Sequence, residues 1–270
     1  MTKPISYGAI GWLYGNAWGI RQHELRPIEP KPAHTKSHQP KQPRRMIRPA
    51  ISARQIGDQA QPLAIVDNFH PDPDALRAHA ATQAFEPGRN HYPGLRAPLP
   101  PGYLAAVGPA LTAVLSGVFY HNAGAALIDA SYAMVTTPAD RLTLAQRLPH
   151  VDAVDPGRIA LVHYLSPDCR DGTAFYRHRA TGTETIDAAR AADYYARLNS
   201  ELAQGAPPAP TYIAGSTPLF EQIAQVEARY NRAVIYRSAS LHSGVIASDT
   251  ALSDDPLLGR LTITAFLLLD

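Results

Sequence analysis

Hydrophobic and polar positions along the chain follow two regimes that change over near residue 125. Before it, PLAIVDNF (62–69) is a short apolar run of the kind that forms a buried strand. PDPDALRAHAATQAF, just after it, opens like a helix that Asp72 or Asp74 can cap. YPGLRAPLPPGY (92–103) carries too much proline for either element and reads as a loop. LAAVGPALTAVLSGVF then has helical composition. From Ala126 onward ALIDASYAMVTT, RIALVHYLS, AVIYRS and RLTITAFLLL are β-branched and aromatic, some alternating and some apolar throughout, and they predict strands. Two helices are predicted among them, over 186–204 and 218–230. Helices first and many short strands later predict a single α+β domain over 51–270, helical in its first part (51–125), with a β-sandwich or barrel core.

Composition narrows the class. With 45% hydrophobic and 18% charged residues, the 270-residue chain has the makeup of a folded soluble protein and the length to bury a sizeable core. No uncharged apolar run approaches the ~18–20 residues that a membrane-spanning helix needs, so no membrane span is expected. The single cysteine, Cys169, excludes internal disulfides and thiolate clusters and suits a reducing compartment, which predicts a cytoplasmic protein. Charge is divided unevenly: residues 1–50 hold nine Lys or Arg against two acids, which leaves 16 basic and 21 acidic residues from the totals of 25 and 23. Proline and cations at 24–49 leave too little apolar surface to offset the entropy of ordering, so residues 1–50 are expected to be a disordered basic tail. Lacking interleaved aromatics or a folded basic face, that tail reads as solvated and not as a nucleic-acid-binding arm. The apolar leader ISYGAIGWLYGNAWGI is broken by glycines and has no Leu- or Ala-rich core, unlike an export signal. All four lysines lie in the tail, so beyond Lys41 arginine is the only fixed positive charge available to a site.

The chemistry is carried by histidine and acid, because phosphate-loop, dinucleotide, nucleophile-elbow, CxxC and HExxH motifs are absent. The triplet H-x-D occurs twice, where chance alone gives about 0.7 occurrences, so context must choose between the copies. His70-Pro71-Asp72 sits where a strand hands over to a helix, and capping explains its aspartate. His150-Val151-Asp152 lies at the mouth of a strand, His242 follows AVIYRS, and Arg260 opens the last strand. Two histidines and a carboxylate on one face of a sheet can hold iron(II) and leave its remaining positions open. Residues i and i+2 of a strand point the same way, so His150 can join Asp152, and Arg260 can join Thr262. An unpaired guanidinium at the head of an apolar strand is costly, and its planar fork suits a carboxylate, so Arg260 calls for an anion.

The series HVD, RIALVHYLSPDCRDGTAF, NRAVIYRSASLHSG and RLTITAF resembles the iron(II)- and 2-oxoglutarate-dependent dioxygenases, particularly their prolyl-hydroxylase-like branch, over about residues 132–268. Upstream, AIVDNFHPDPDALRAHA with HYPGLRAPLP resembles the start of an uncharacterised bacterial family within that superfamily. The resemblance implies a double-stranded β-helix (jelly-roll) core with the N-terminal helices packed on one sheet. It implies iron(II) held by His150, Asp152 and His242, and 2-oxoglutarate held at its distal carboxylate by Arg260, with Thr262 and Tyr164 as hydrogen-bond donors. Arg158 and Tyr176 fall where the branch often meets its substrate, and no catalytic residue is implied beyond the metal ligands. The implied reaction uses O2 to hydroxylate an amino acid, peptide or small natural product, releasing succinate and carbon dioxide. The residues themselves leave two other readings open: a non-catalytic jelly-roll binding module, and a cupin-like metal enzyme that does not use 2-oxoglutarate. His91, His163 and His178 have no acid at i+2 and are expected to be satisfied or exposed. The 18 positions from His242 to Arg260 require SDTALSDDPLL to loop out before the last strand.

Overall fold

Strand alternation sorts side chains into an inner and an outer layer in the computed structural model of the protein, which describes residues 48–270 apart from 90, 169, 170 and 251. Except for residues 48–50, the expected basic tail lies outside the described residues, as do the apolar leader and Cys169. Strands β1 (Ala50–Ile56), β2 (Gln61–Asp67), β3 (Glu86–Pro87), β4 (Gly94–Ala97), β5 (Ala125–Val135) and β6 (Arg158–Tyr164) belong to one eight-stranded sheet. Its other members are β9 (Arg232–Arg237) and β11 (Leu261–Leu269), in the order β1-β2-β9-β6-β11-β5-β4-β3. A smaller sheet runs β10 (His242–Gly244), β7 (Thr173–His178), β8 (Phe220–Val226), and a bridge from His150 to His242 adds a fourth row at its β10 edge. All pairings are antiparallel, and from β5 onward the chain passes back and forth between the two sheets in a jelly-roll-like manner.

Both faces of the large sheet are covered, which explains why RLTITAFLLL and RIALVHYLS read as nearly continuous apolar runs. On the outer face Leu261, Ile263, Ala265 and Leu267 join Ile159, Leu161, Leu165, Ala233 and Ile235. They pack beneath α1 (Pro73–Ala80) and α2 (Tyr103–Gly117), which contribute Leu76, Ala80, Tyr103, Val107 and Val114. On the inner face Ala160, Tyr164, Val234, Tyr236 and Phe266 meet Phe175 and Val226 of the small sheet. Each large apolar side chain buried in this way contributes about 1.5–3 kcal/mol relative to exposure. The outer face of the small sheet is closed by α3 (Ala188–Gln204) through Ala191, Tyr194, Tyr195 and Leu198. Two of the helices have side-chain caps at their starts: Asp72 accepts from the Ala75 amide at 3.1 Å, and Asp187 accepts from the Arg190 amide at 2.9 Å.

Three of the departures from the sequence reading have a plain physical cause. The helix expected over 218–230 is instead strand β8, FEQIAQV, an outer strand of the small sheet paired with β7. Its Glu, Gln and Ala favour a helix, but the ladder to β7 and the burial of Phe220 and Val226 outweigh that local preference. The proline-rich stretch expected as a loop contains β4, whose pairing with β5 needs a glycine: a Cβ at Gly94 would lie 1.9 Å from the Met134 carbonyl oxygen. β1 was not expected, since six of its seven residues are exposed and give no hydrophobic signal. Between β10 and β11, the described residues of 245–260 form no strand. Among the described residues no helix is long and apolar enough to cross a membrane.

Candidate metal centre

The HVD segment is stitched to the small sheet by its backbone. His150 and His242 exchange both N–H···O bonds at 2.9 Å, and the Asp152 amide donates to the Ser238 carbonyl at 2.9 Å. Residues paired in this way present their side chains on the same face, so the two imidazoles stand side by side with ring centroids 4.4 Å apart. Val151 turns the other way and is buried among the residues under α3, which leaves Asp152 on the histidine side. His150 Nε2 lies 3.8 Å from Asp152 Oδ1, and His242 Nε2 lies 3.5 Å from Asp152 Oδ2. One ligand atom from each residue lies within 4.8 Å of the others.

Three features of the donor set suit a divalent cation. Asp152 Oδ2 is buried and has no hydrogen-bond partner. His242 Nδ1 is 2.9 Å from the Ser240 carbonyl, so that nitrogen carries the proton and the Nε2 lone pair faces the aspartate. Burial pushes the His242 pKa down to about 4, opposed by that same hydrogen bond. The His150 pKa is also lowered, by desolvation of its inward edge and by the neighbouring His242, against the pull of Asp152. Burial raises the Asp152 pKa, against the opposing charges of His150, Arg96 and Arg158. Near neutral pH both imidazoles are therefore uncharged and supply lone pairs, the form that metals bind. The side chains of Asp152 and His242 are 12% and 6% exposed, whereas that of His150 is 42% exposed, so the cluster opens to solvent on the His150 side. Tyr236, 4.8 Å from the His242 ring, and Phe175, 5.1 Å from Tyr236, wall its inner side.

The other expected site residues are distributed unevenly around this cluster. Arg260 is buried just ahead of β11; its Nη2 donates to the Gly172 carbonyl at 3.2 Å, its guanidinium lies 5.9 Å from the Tyr164 ring centre, and its buried Nε has no hydrogen-bond partner. Gly172 is required where the turn presses on β8, since a Cβ there would sit 1.8 Å from the Val226 carbonyl oxygen. Tyr164 is buried on the inner face, its hydroxyl 2.7 Å from Thr173 Oγ1. Thr262 was expected to donate to the cosubstrate, but its hydroxyl proton goes to the Ala133 carbonyl at 3.0 Å. Arg158 is buried at the head of β6, and its charge acts on Asp152. Tyr176 requires a correction. It is fully buried with Ala174, Tyr194 and Leu198 in the layer under α3, on the opposite side of the small sheet from Phe175 and the histidines. It therefore faces away from the cluster and cannot line a substrate there.

The first H-x-D copy is structural: Asp72 caps α1, and His70 Nδ1 accepts from the Asp72 amide at 3.1 Å. His163 is also satisfied, with its Nε2 donating to Asn231 Oδ1 at 3.0 Å and its Nδ1 facing the Tyr103 hydroxyl at 3.2 Å. Arg96 was missed. It reaches across the inner face from β4, and Nη1 donates to Ser131 at 3.0 Å and to Thr264 at 2.9 Å.

None of the curated proteins matches the chain. Among solved structures, it is similar to HygX from Streptomyces hygroscopicus with nickel, 2-oxoglutarate and hygromycin B bound, at 11% identity and a TM-score of 0.43, over 76% of this chain and 82% of that one. It is also similar to an N-substituted L-amino acid dioxygenase from Burkholderia ambifaria, at 12% identity and a TM-score of 0.36, over 78% of this chain and 83% of that one. A family described as being of unknown function, DUF6445, matches residues 47–267, a span that takes in both sheets and all three members of the histidine–aspartate cluster; the chain belongs to that family.

Proposed function

We propose that the protein is an iron(II)- and 2-oxoglutarate-dependent oxygenase, of the prolyl-hydroxylase-like kind, that hydroxylates an amino acid, peptide or small natural product. The observation that carries this reading is the convergence of His150, Asp152 and His242, with one ligand atom of each within 4.8 Å of the others and Asp152 Oδ2 buried without a hydrogen-bond partner. The interleaving of the sheets supports a double-stranded β-helix: β5, β6, β9 and β11 lie in the large sheet, and the His150 row, β7, β8 and β10 lie in the small one. On this reading residues 51–270 form one catalytic unit, residues 1–50 a basic tail, and the protein works in the cytoplasm.

His150, Asp152 and His242 would hold the metal on one side. Bound there, iron(II) supplies the activation of O2 that couples oxidative decarboxylation of 2-oxoglutarate to oxygen insertion into a C–H bond. The chain's own residues bind, orient and exclude water. The Ser240 carbonyl keeps His242 in the tautomer that presents Nε2. Arg260 would fix the distal carboxylate of 2-oxoglutarate, with the Tyr164 hydroxyl beside it, and the Tyr236 and Phe175 rings keep water from the inner side.

Anaerobic reconstitution tests the reading. Iron(II) and 2-oxoglutarate together should give a weak visible charge-transfer band that neither gives alone, and admitting O2 should release succinate. Iron binding without the band would favour a cupin-like metal enzyme. Failure to bind any divalent metal would leave a binding module.

A further inference from the structure

We infer that Arg96 is the seat of a second carboxylate, carried by the substrate itself, so that the enzyme acts on a small carboxylic acid. The inference rests on the oxygenase reading and names its substrate class. β4 is only four residues long, yet it delivers one cation to the space between the sheets. Gly94 allows β4 to press against Met134, and Arg96, two residues on, extends over the inner face next to Ser131 and Thr264. Its guanidinium lies 4.4 Å from the centre of the Tyr92 ring, a stacking that holds the planar group in place. Both hydrogen bonds leave from Nη1 and end on neutral hydroxyls, and among the described residues no carboxylate lies within ion-pair distance. A half-buried guanidinium pinned by neutral partners presents its remaining edge to an anion, and its geometry favours a bidentate carboxylate.

The bonding partners separate this seat from Arg260. Arg96 is fixed to Ser131 of β5 and Thr264 of β11 and stacks on Tyr92, whereas Arg260 is tied to Gly172, near Tyr164 and Thr173. A single dicarboxylate cosubstrate with its distal end on Arg260 needs no second cation. Arg96, on the inner face of the same sheet, is then left for the molecule that is oxidised.

The test uses the full chain under anaerobic conditions, loaded with manganese(II) and 2-oxoglutarate, and reads thermal shift on titration with small carboxylic acids and their primary amides. At least one acid should stabilise the wild type where its amide does not. Arg96→Gln should weaken that acid by about 10- to 150-fold, as expected for loss of a charge-assisted pair, while manganese and 2-oxoglutarate affinities stay within about twofold. Arg96→Lys should recover part of the loss and serves if the glutamine variant does not fold. A panel in which no acid is preferred to its amide overturns the inference, as does equal acid binding by the variant, which would make Arg96 a strap between β4, β5 and β11. A tenfold loss of 2-oxoglutarate affinity in Arg96→Gln also overturns it, because Arg96 would then serve the cosubstrate. If the wild type binds the acid at Arg96 but does not bind 2-oxoglutarate, the oxygenase reading fails and the carboxylate seat stands.

Discussion

Replacing Asp152 with asparagine tests the metal centre through stability, without any turnover. In the metal-free protein at about pH 7.5, the lowered pKa values of His150 and His242 leave both rings neutral, so neither forms an ion pair with Asp152. The carboxylate is then a buried acceptor whose Oδ2 is unbonded and faces another acceptor, the Nε2 lone pair of His242, at 3.5 Å. An unsatisfied buried polar group costs about 1–3 kcal/mol. The side-chain amide of the variant would present a donor to that lone pair, so Asp152→Asn should unfold at a higher temperature than the wild type in chelator. At about 2–4 °C per kcal/mol for a chain of this size, the gain is about 2–12 °C. Metal reverses the order. Manganese(II) at about a hundred times its Kd should stabilise the wild type by about 2.7 kcal/mol, or about 5–11 °C, and leave Asp152→Asn unmoved. Differential scanning calorimetry in chelator and in manganese measures both halves. A variant that melts below the wild type in chelator and still responds to manganese would make Asp152 a structural acceptor and remove the basis for a metal at this position.

Three further outcomes are expected. Arg260→Gln should weaken 2-oxoglutarate by about 10- to 150-fold with metal affinity unchanged, measured by calorimetric titration; equal affinities would reduce Arg260 to a strap on Gly172. His163 is buried, and desolvation holds its pKa at about 3, so it stays neutral in the fold while the unfolded chain takes a proton below about pH 6.5. That contribution is absent from the pH dependence above about 6.5, and it lowers stability as pH falls from there towards 3, by about 1.4 kcal/mol between pH 7.5 and 5.5. Urea midpoints should drop over that interval, and less so in His163→Gln; an identical drop in the variant would remove His163 as a cause. His70→Ala should cost about 0.5–1.5 kcal/mol through the lost bond to the Asp72 amide and leave manganese affinity intact, whereas a loss matching that of His150→Ala would put the metal at the other H-x-D copy.

What could be read from the sequence depends on how each strand is covered. β6, β9 and β11 were legible as strands because sheets buried on both faces produce long apolar runs. The same double burial hides which face is which. Ala174 and Tyr176 pack under α3 while Phe175 fills the inner layer, and a bulge between Phe175 and Tyr176 shifts the register besides, so nothing in TAFYRH places Tyr176 on the outer side. β8 was missed for a different reason: its middle is half-buried and made of helix-favouring residues, so only the pairing with β7 identifies it. Within a run buried on both faces, the informative positions are the polar ones that break it at a constant parity. Arg260, just ahead of the last strand, and Thr262 and Thr264 within it are three successive positions of the same parity as inward-facing Phe266. A Cβ on Gly244, two residues after His242, would lie 3.9 Å from Arg260 Nη2, and Thr264 continues the row to a hydroxyl that receives a hydrogen bond from Arg96. An isolated arginine in a four-residue strand has no period by which to be noticed. Its role becomes visible only when the neighbouring strand's polar parity is followed to the residue that bonds to it.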